Sequence, residues 1–235
     1  MNVLKQSKSN LFGSQNDIQV LSQKETATAL IISDSHGQRE MVKHILKGFG
    51  AKSDVLVFCG DGISDILTVF DYSLQNKDFS QYLPSVAGLV QGNGDSNHYP
   101  VKFMPYEEQP EGICQEVNIP LHLLFNMAGH NVYVVHGHLQ DVYYGTEKLE
   151  QETRIAGADI ALYGHSHIAA QTETDILMLN PGSCSLPRRG LPPSFATLTC
   201  SAHSMEYSVT FYKTSSDTTG SSQFTPFIPP MKKFW

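Results

Sequence analysis

Ala29-Leu30-Ile31-Ile32-Ser33-Asp34-Ser35-His36-Gly37 is the stretch whose reading decides the fold. Four apolar residues in succession form a short strand of the kind buried in a sheet. The run stops at Ser, Asp, His and Gly, which are turn residues. Beyond it, Met41, Val42, Ile45, Leu46 and Phe49 recur at three- and four-residue spacings, the period of an amphipathic helix, which Gly48 and Gly50 help to end. A second apolar run, Val55 to Phe58, stops at Gly60-Asp61-Gly62 and leads into a helical pattern from near Ser64 that carries Ile66, Leu67, Val69 and Phe70. A third, Val86 to Val90, closes at Gly92-Asn93-Gly94-Asp95. Strand–helix–strand crossovers of this kind imply a mostly parallel sheet with helices on its faces.

Downstream, the proline-bearing segment from Ser96 to Gly112 reads as a loop. Leu121 to Phe125 and Asn131 to Val135 read as strands joined by a turn at Met127-Ala128-Gly129-His130, and the second ends at His136-Gly137-His138. A helix is expected near Gly145 to Gly157. A strand over Ile160 to Tyr163 ends at Gly164-His165-Ser166-His167, and another over Ile176 to Leu179 ends at Asn180-Pro181-Gly182-Ser183. Phe195 to Thr199 and Tyr207 to Tyr212 form an expected closing hairpin. The organisation read from this is a polar N-terminal extension over residues 1–27, one domain over 28–213, and a linker with an aromatic tail over 214–235.

Length and composition narrow the function classes. The chain has 235 residues, with 40% hydrophobic and 17% charged, enough for one globular domain with a proper core. A net charge of −7 gives no basic footprint for a nucleic-acid backbone or an anionic membrane. No apolar run approaches the roughly 20 residues that span a bilayer. The polar N-terminus does not read as an export signal, so a cytoplasmic location is expected. Cys59, Cys114, Cys184 and Cys200 lack paired spacing and read as reduced thiols.

The chemistry is concentrated at the strand ends. Asp34 and His36, then Asp61, Asn93, His136, and His165 with His167 all follow predicted strands, the edge at which ligands bind in open α/β sheets. Oxygen and imidazole donors together suit first-row metals better than calcium or magnesium. Seven such groups are too many for one tetrahedral ion and fit two ions about 3.5–4 Å apart. In extended chain, residues i and i+2 point the same way, so Asp-x-His and His-x-His each present two donors to one cavity. Singly, each cluster has an ordinary reading: Asp34 as a helix cap, Gly60-Asp61-Gly62 and Gly92-Asn93-Gly94 as tight turns.

The ordered set Asp34-x-His36, Gly60-Asp61, Gly92-Asn93, His136 and Gly164-His165-x-His167 resembles the calcineurin-like metallophosphoesterases. The length and the Asn180-Pro181-Gly182-Ser183 segment resemble the family's small bacterial and archaeal phosphodiesterase branch. The resemblance covers roughly residues 29 to 185. It implies an α/β fold of the α+β kind, a four-layered α/β/β/α sandwich. It implies two divalent cations, with manganese the leading expectation and iron, nickel, cobalt or zinc the alternatives. By motif position, Asp34, His36, Asp61 and His167 would hold the first, and Asp61, Asn93, His136 and His165 the second, with Asp61 bridging. A hydroxide activated by the pair would attack phosphorus in line.

One position departs from the pattern. Many family members have a histidine directly after the motif asparagine, and here it is Gly94, followed by Asp95. Asp95 and His138 are therefore the candidate catalytic side chains, with a metal-held water or a leaving group that needs little protonation as alternatives. The expected substrate is a small phosphate diester. The other readings are a phosphomonoesterase or nucleotide hydrolase at the same site, and a non-catalytic scaffold of the same fold. Specificity would lie in Ser96 to Gly112 and Arg188 to Pro193, although solvated loop arginines are the default reading of Arg188 and Arg189. The tail residues Phe224, Phe227, Ile228, Phe234 and Trp235 are candidates for packing on the body or on a second copy in a homo-oligomer.

Overall fold

The computed structural model describes residues 5–101, 115–216 and 222–230. In chain order the elements are α1 (Gln15–Gln23), β1 (Thr26–Ile32), α2 (Arg39–Phe49), β2 (Val55–Phe58), α3 (Ile63–Gln75), α4 (Lys77–Ser80), β3 (Val86–Leu89), β4 (His98–Val101), β5 (Gln115–Asn118), β6 (His122–Met127), β7 (His130–Val135), α5 (Glu147–Ile155), β8 (Ile160–Leu162), β9 (Ala169–Glu173), β10 (Leu177–Pro181), β11 (Ser194–Ser201), β12 (Ser208–Ser216) and β13 (Ser222–Phe227).

Two sheets form the middle of the molecule, one ordered β13-β12-β11-β1-β2-β3 and the other β6-β7-β8-β10-β9. Successive side chains on a strand point to opposite faces, and every central strand here is apolar on both. Ala29 and Ile31 join the core between the sheets, while Leu30 and Ile32 face the helices α2 and α3. Val55 and Val57 divide from Leu56 and Phe58 in the same way. In the second sheet, Val132, Val134, Leu177 and Leu179 enter the inter-sheet core, and Tyr133, Val135 and Met178 pack with Leu149 of α5. Helix, sheet, sheet and helix are therefore the four layers, as expected.

The expected mostly parallel sheet is a correction. β1, β2 and β3 are parallel, but β11 inserts beside β1 antiparallel, and β12 and β13 continue antiparallel. The second sheet is mixed too, with β7, β8 and β10 parallel between antiparallel β6 and β9. β6 and β7 join through Ala128-Gly129, both at positive φ (48° and 81°), the backbone of a tight two-residue hairpin.

Three segments read as irregular carry structure. Residues 98–101 pair with β5 rather than looping. The stretch read as a polar N-terminal extension contains α1, and the Phe12 N–H and C=O both bond Ala87 of β3, at 2.7 and 2.8 Å. Phe12 is fully buried and Leu11 nearly so. The stretch read as a linker contributes to the β12–β13 hairpin, whose Phe224 packs edge-on against Phe195 at 5.3 Å. Cys59, Cys184 and Cys200 are buried free thiols. Cys114, Phe234, Trp235 and most of the Ser96 to Gly112 segment lie outside the described residues. Among the described residues no helix is long and apolar enough to cross a membrane.

Candidate metal centre

Both parallel strand sets end at the same edge, and their loops interlock there. Asp34 N–H donates to Gly60 O (3.0 Å), His36 N–H to Asp61 O (3.2 Å) and Gly164 N–H to His136 O (2.9 Å). The turns are tight. Asp34, His36, Asp61, His165 and His167 all have φ between 43° and 63°, a left-handed conformation that costs a residue with a side chain about 1 kcal/mol or more. Gly60 sits at φ 93°, and a Cβ there would stand 2.7 Å from Gly92 N and 2.8 Å from His136 Nδ1. Only glycine lets the two loops and the imidazole come this close.

Asp34 is fully buried. Its Oδ2 accepts the Ser33 hydroxyl (2.6 Å) and the His165 N–H (3.2 Å), and its Oδ1 has no hydrogen-bond partner. Asp61 Oδ1 accepts the Gly94 N–H (2.7 Å). Its Oδ2 stands 3.8 Å from His36 Nε2 and 3.6 Å from His136 Nε2, so it faces donors from both halves of the cluster. Burial works to raise the Asp61 pKa, but the facing His136 imidazole, the Gly94 N–H and His36 outweigh it and hold the carboxyl well below the usual carboxylate range.

The histidines are oriented from behind. His136 Nδ1 is 2.6 Å from Cys59 O, and His167 Nδ1 is 2.6 Å from Leu186 O. A carbonyl only accepts, so each Nδ1 carries the hydrogen and each Nε2 turns toward the carboxylates, the arrangement of an imidazole set to bind a metal. His136 Nε2 is buried without a hydrogen-bond partner. His167 Nε2 lies 3.2 Å from Asp34 Oδ1 and 3.2 Å from His36 Nε2. Acceptor atoms meeting this closely in a buried place repel one another unless a proton or a cation lies between them. A borderline divalent cation matches the mixed imidazole and carboxylate donors.

Two triads meet the requirement of mutually close donor atoms: Asp34, His36 and His167, and Asp34, Asp61 and His136, each with all donors within 4.8 Å of one another. Of the other two expected ligands, the His165 ring lies edge-on at 5.0 Å from that of His136. Burial first, and the His136 charge next, push its pKa down to about 4, which keeps it neutral. Asn93 is exposed on the loop beside Asp61, with no side-chain hydrogen bond among the described residues.

Residues 28–203 match the calcineurin-like phosphoesterase superfamily domain. The chain belongs to that superfamily. It is 32% identical over 178 residues to a probable metallophosphoesterase, YsnB of Bacillus subtilis, covering 72% of this chain and 82% of that protein. It is 27% identical over 188 residues to phosphodiesterase YfcE of Escherichia coli K12, covering 72% and 85%. In fold it is similar to Vacuolar Protein Sorting 29 of Cryptosporidium parvum, at TM-score 0.59 and 18% identity, covering 87% of this chain and 98% of that one. As a member of the superfamily, the chain has residues that could bind a divalent metal, and its mixed sheets with flanking helices are that fold.

The candidate catalytic side chains fare differently. Asp95 Oδ1 accepts the N–H groups of Gly62 and Ile63 (both 3.0 Å), and its Oδ2 those of Asp61 (2.7 Å) and Gly92 (3.0 Å). With each oxygen engaged twice, Asp95 caps α3 and staples the Asp61 loop to the Asn93 loop, and it offers no free oxygen to a leaving group. His138 adjoins the cluster, its ring 5.4 Å from that of His136, with its Nδ1 buried and unpartnered. Burial, and the neighbouring His136 after it, lower its pKa.

Two supporting residues escaped the sequence reading. Asp65 Oδ2 accepts the Ser35 hydroxyl (2.6 Å) and the Gly37 N–H (2.8 Å), which fixes the loop that carries His36. Asn180 donates from Nδ2 to Gly164 O (2.7 Å) and lies 3.1 Å from Ser166 Oγ, which fixes the loop that carries His165 and His167. Long-range hydrogen bonds of this kind leave no spacing signature. The only cue was the presence of Asn180 in a motif.

Proposed function

We propose that the chain is a metal-dependent phosphodiesterase acting on small phosphate esters with a pair of divalent cations. Asp34, His36, Asp61 and His167 would hold one, and Asp61, Asn93, His136 and His165 the other. The observation that carries this reading is the pair of donor triads that share Asp34 and face each other across Asp61 Oδ2. The 27% identity to a protein named a phosphodiesterase supports the diester preference. When bound, such cations supply Lewis acidity at the phosphoryl oxygens and lower the pKa of water toward about 7.

The chain's own residues do the rest. Cys59 O and Leu186 O fix the tautomers of His136 and His167. Asp61 stays ionised, and His165 stays neutral with its ring beside that of His136. Asp95 holds two loops in register, so it is not available as a proton donor. His138 is a candidate substrate contact on the rim. Esters whose leaving group departs with little protonation are therefore the favoured class.

The test is hydrolysis of bis(p-nitrophenyl) phosphate by protein supplied with manganese, with p-nitrophenyl phosphate as the monoester control. The expected result is turnover that a chelator abolishes and that Asp61→Asn lowers by roughly two to three orders of magnitude. Turnover indifferent to both treatments overturns the reading, and faster cleavage of the monoester assigns the same site to monoesters instead.

A further inference from the structure

The loop after His167 places a cation at the mouth of this centre. Arg188 N–H donates to His167 O (3.2 Å), which ties the arginine backbone to one candidate ligand. Its guanidinium lies over the Tyr143 ring, 5.1 Å from the centroid, and that ring stands edge-on at 4.9 Å from the ring of His165. Arg188 is thus anchored at both ends to ligand histidines, by backbone to His167 and through Tyr143 to His165. No more than two ring-contact distances separate the guanidinium from the His165 imidazole.

Among the described residues no ion pair joins Arg188 to a carboxylate. Arg154, by comparison, is engaged by both Glu150 and Asp175. The protein as a whole carries −7, which repels anions. A guanidinium held on an aromatic face keeps its fork of N–H donors free and loses little side-chain entropy when it meets an oxyanion. Tyr143 is 39% exposed, and Leu186, whose carbonyl orients His167, is 54% exposed, so this wall of the site is open to a ligand.

We propose that Arg188 is a specificity-determining residue that binds a second anionic group of the substrate, and that Tyr143 is the positioning residue that holds it there. The inference rests on the phosphodiesterase reading and deepens it. The substrate class is a phosphodiester one of whose alcohols bears a further phosphate, displaced from the scissile phosphorus toward the Tyr143 wall.

The probes are thymidine 5′-(p-nitrophenyl phosphate) and the same compound with a 3′-phosphate. Wild-type protein supplied with manganese is expected to cleave the phosphorylated compound with a kcat/KM about tenfold higher, carried in KM, as one charge-assisted hydrogen bond would give. Arg188→Met, a change at an exposed position, is expected to remove that preference. Arg188→Lys is expected to keep only part of it, because an ammonium neither forks nor stacks as a guanidinium does. Tyr143→Leu is expected to shrink it as well, with Arg188 still in the chain. Equal kcat/KM for the two compounds in the wild type, or an undiminished preference in Arg188→Met, overturns the proposal.

Calorimetric binding separates its failure from failure of the phosphodiesterase reading. Thymidine 3′,5′-bisphosphate should bind metal-supplemented wild type about tenfold tighter than thymidine 5′-phosphate, and no tighter in Arg188→Met. If neither ester is cleaved and this difference in binding persists, the hydrolytic reading falls and the anion site stands. If cleavage occurs and the two nucleotides bind alike, the anion site falls and the hydrolytic reading stands.

Discussion

Asp95 Oδ2 accepts the backbone N–H of Asp61 at 2.7 Å, so the carboxylate nearest in sequence to the missing histidine holds the residue that faces both halves of the metal cluster. Three more N–H groups, from Gly62, Ile63 and Gly92, complete its shell. In Asp95→Asn the amide nitrogen would meet N–H groups where an oxygen accepted them. Losing two charge-assisted bonds costs about 3–6 kcal/mol, and for a chain of this size that lowers Tm by roughly 6–24 °C. The pH–rate profile separates a staple from a proton donor. A staple lowers the whole profile and leaves its shape unchanged, whereas loss of one limb would show that Asp95 transfers a proton.

Asn180 acts from behind the other half of the site. It is fully buried, and its amide bonds the Gly164 carbonyl while its Oδ1 accepts the Gly182 N–H at 2.9 Å. The next residues continue the buckle, since Ser183 Oγ donates to Asp34 O at 2.7 Å. Asn180→Ala leaves every metal donor in place but frees the strained loop that presents His165 and His167. The expected result is metal affinity lowered by about 10- to 100-fold, the usual cost of removing an orienting partner. Manganese or zinc titration, beside an unchanged far-ultraviolet circular dichroism spectrum, checks it. Unaltered affinity would mean that the loop holds its shape without the amide.

Phe12 lies outside the stretch that matches the superfamily, yet it is fully buried, packs edge-on to Phe70 at 5.8 Å and pairs with β3. It closes the sheet edge that β3 would otherwise expose. Phe12→Ala should destabilise the fold by about 3–5 kcal/mol, the range for deleting a buried ring, seen as a lower urea midpoint with an unchanged m-value. Metal affinity per folded molecule should not change. A loss below about 1 kcal/mol would mean that the segment docks only loosely.

These three residues also mark where the sequence is legible and where it is not. Val55 to Phe58 could be read because a strand buried on both faces is a local pattern, and the site could be read because each ligand cluster directly follows such a strand. Phe12 could not, because one aromatic in a polar stretch is buried only through pairing with Ala87, far along the chain. The direction of β11 beside β1 escaped for the same reason: the two strands pair, Thr26 with Ser201 through Ile31 with Ala196, across most of the sequence. β13 follows a stretch rich in Ser, Thr and Gly and takes its place through register with β12. The left-handed backbone of Asp34, His36, Asp61, His165 and His167 is likewise invisible in composition, which would assign such angles to glycine.

Protons should compete with metal at this site in a defined pH window. Burial lowers the pKa of His136, but the facing carboxylates of Asp61 and Asp34 outweigh burial and raise it above the ordinary histidine value. In His167 burial is likewise outweighed, there by the facing Asp34 carboxylate. A histidine with a raised pKa keeps its proton beyond about pH 6.5, and an incoming cation must displace that proton. His165, pushed down to about 4, has none to give in this range. Metal affinity should therefore climb as pH rises through neutrality and level off once His136 and His167 are deprotonated. Titration calorimetry in buffers of different ionisation enthalpy should record roughly one to two protons released per protein near pH 6.5 and progressively fewer as pH rises. His136→Ala should weaken binding and lower the proton count at pH 6.5. Proton release that stays constant from pH 6 to 8.5 would mean that these imidazoles are already neutral before the metal arrives, and that their carboxylate neighbours do not hold the charge in the metal-free fold.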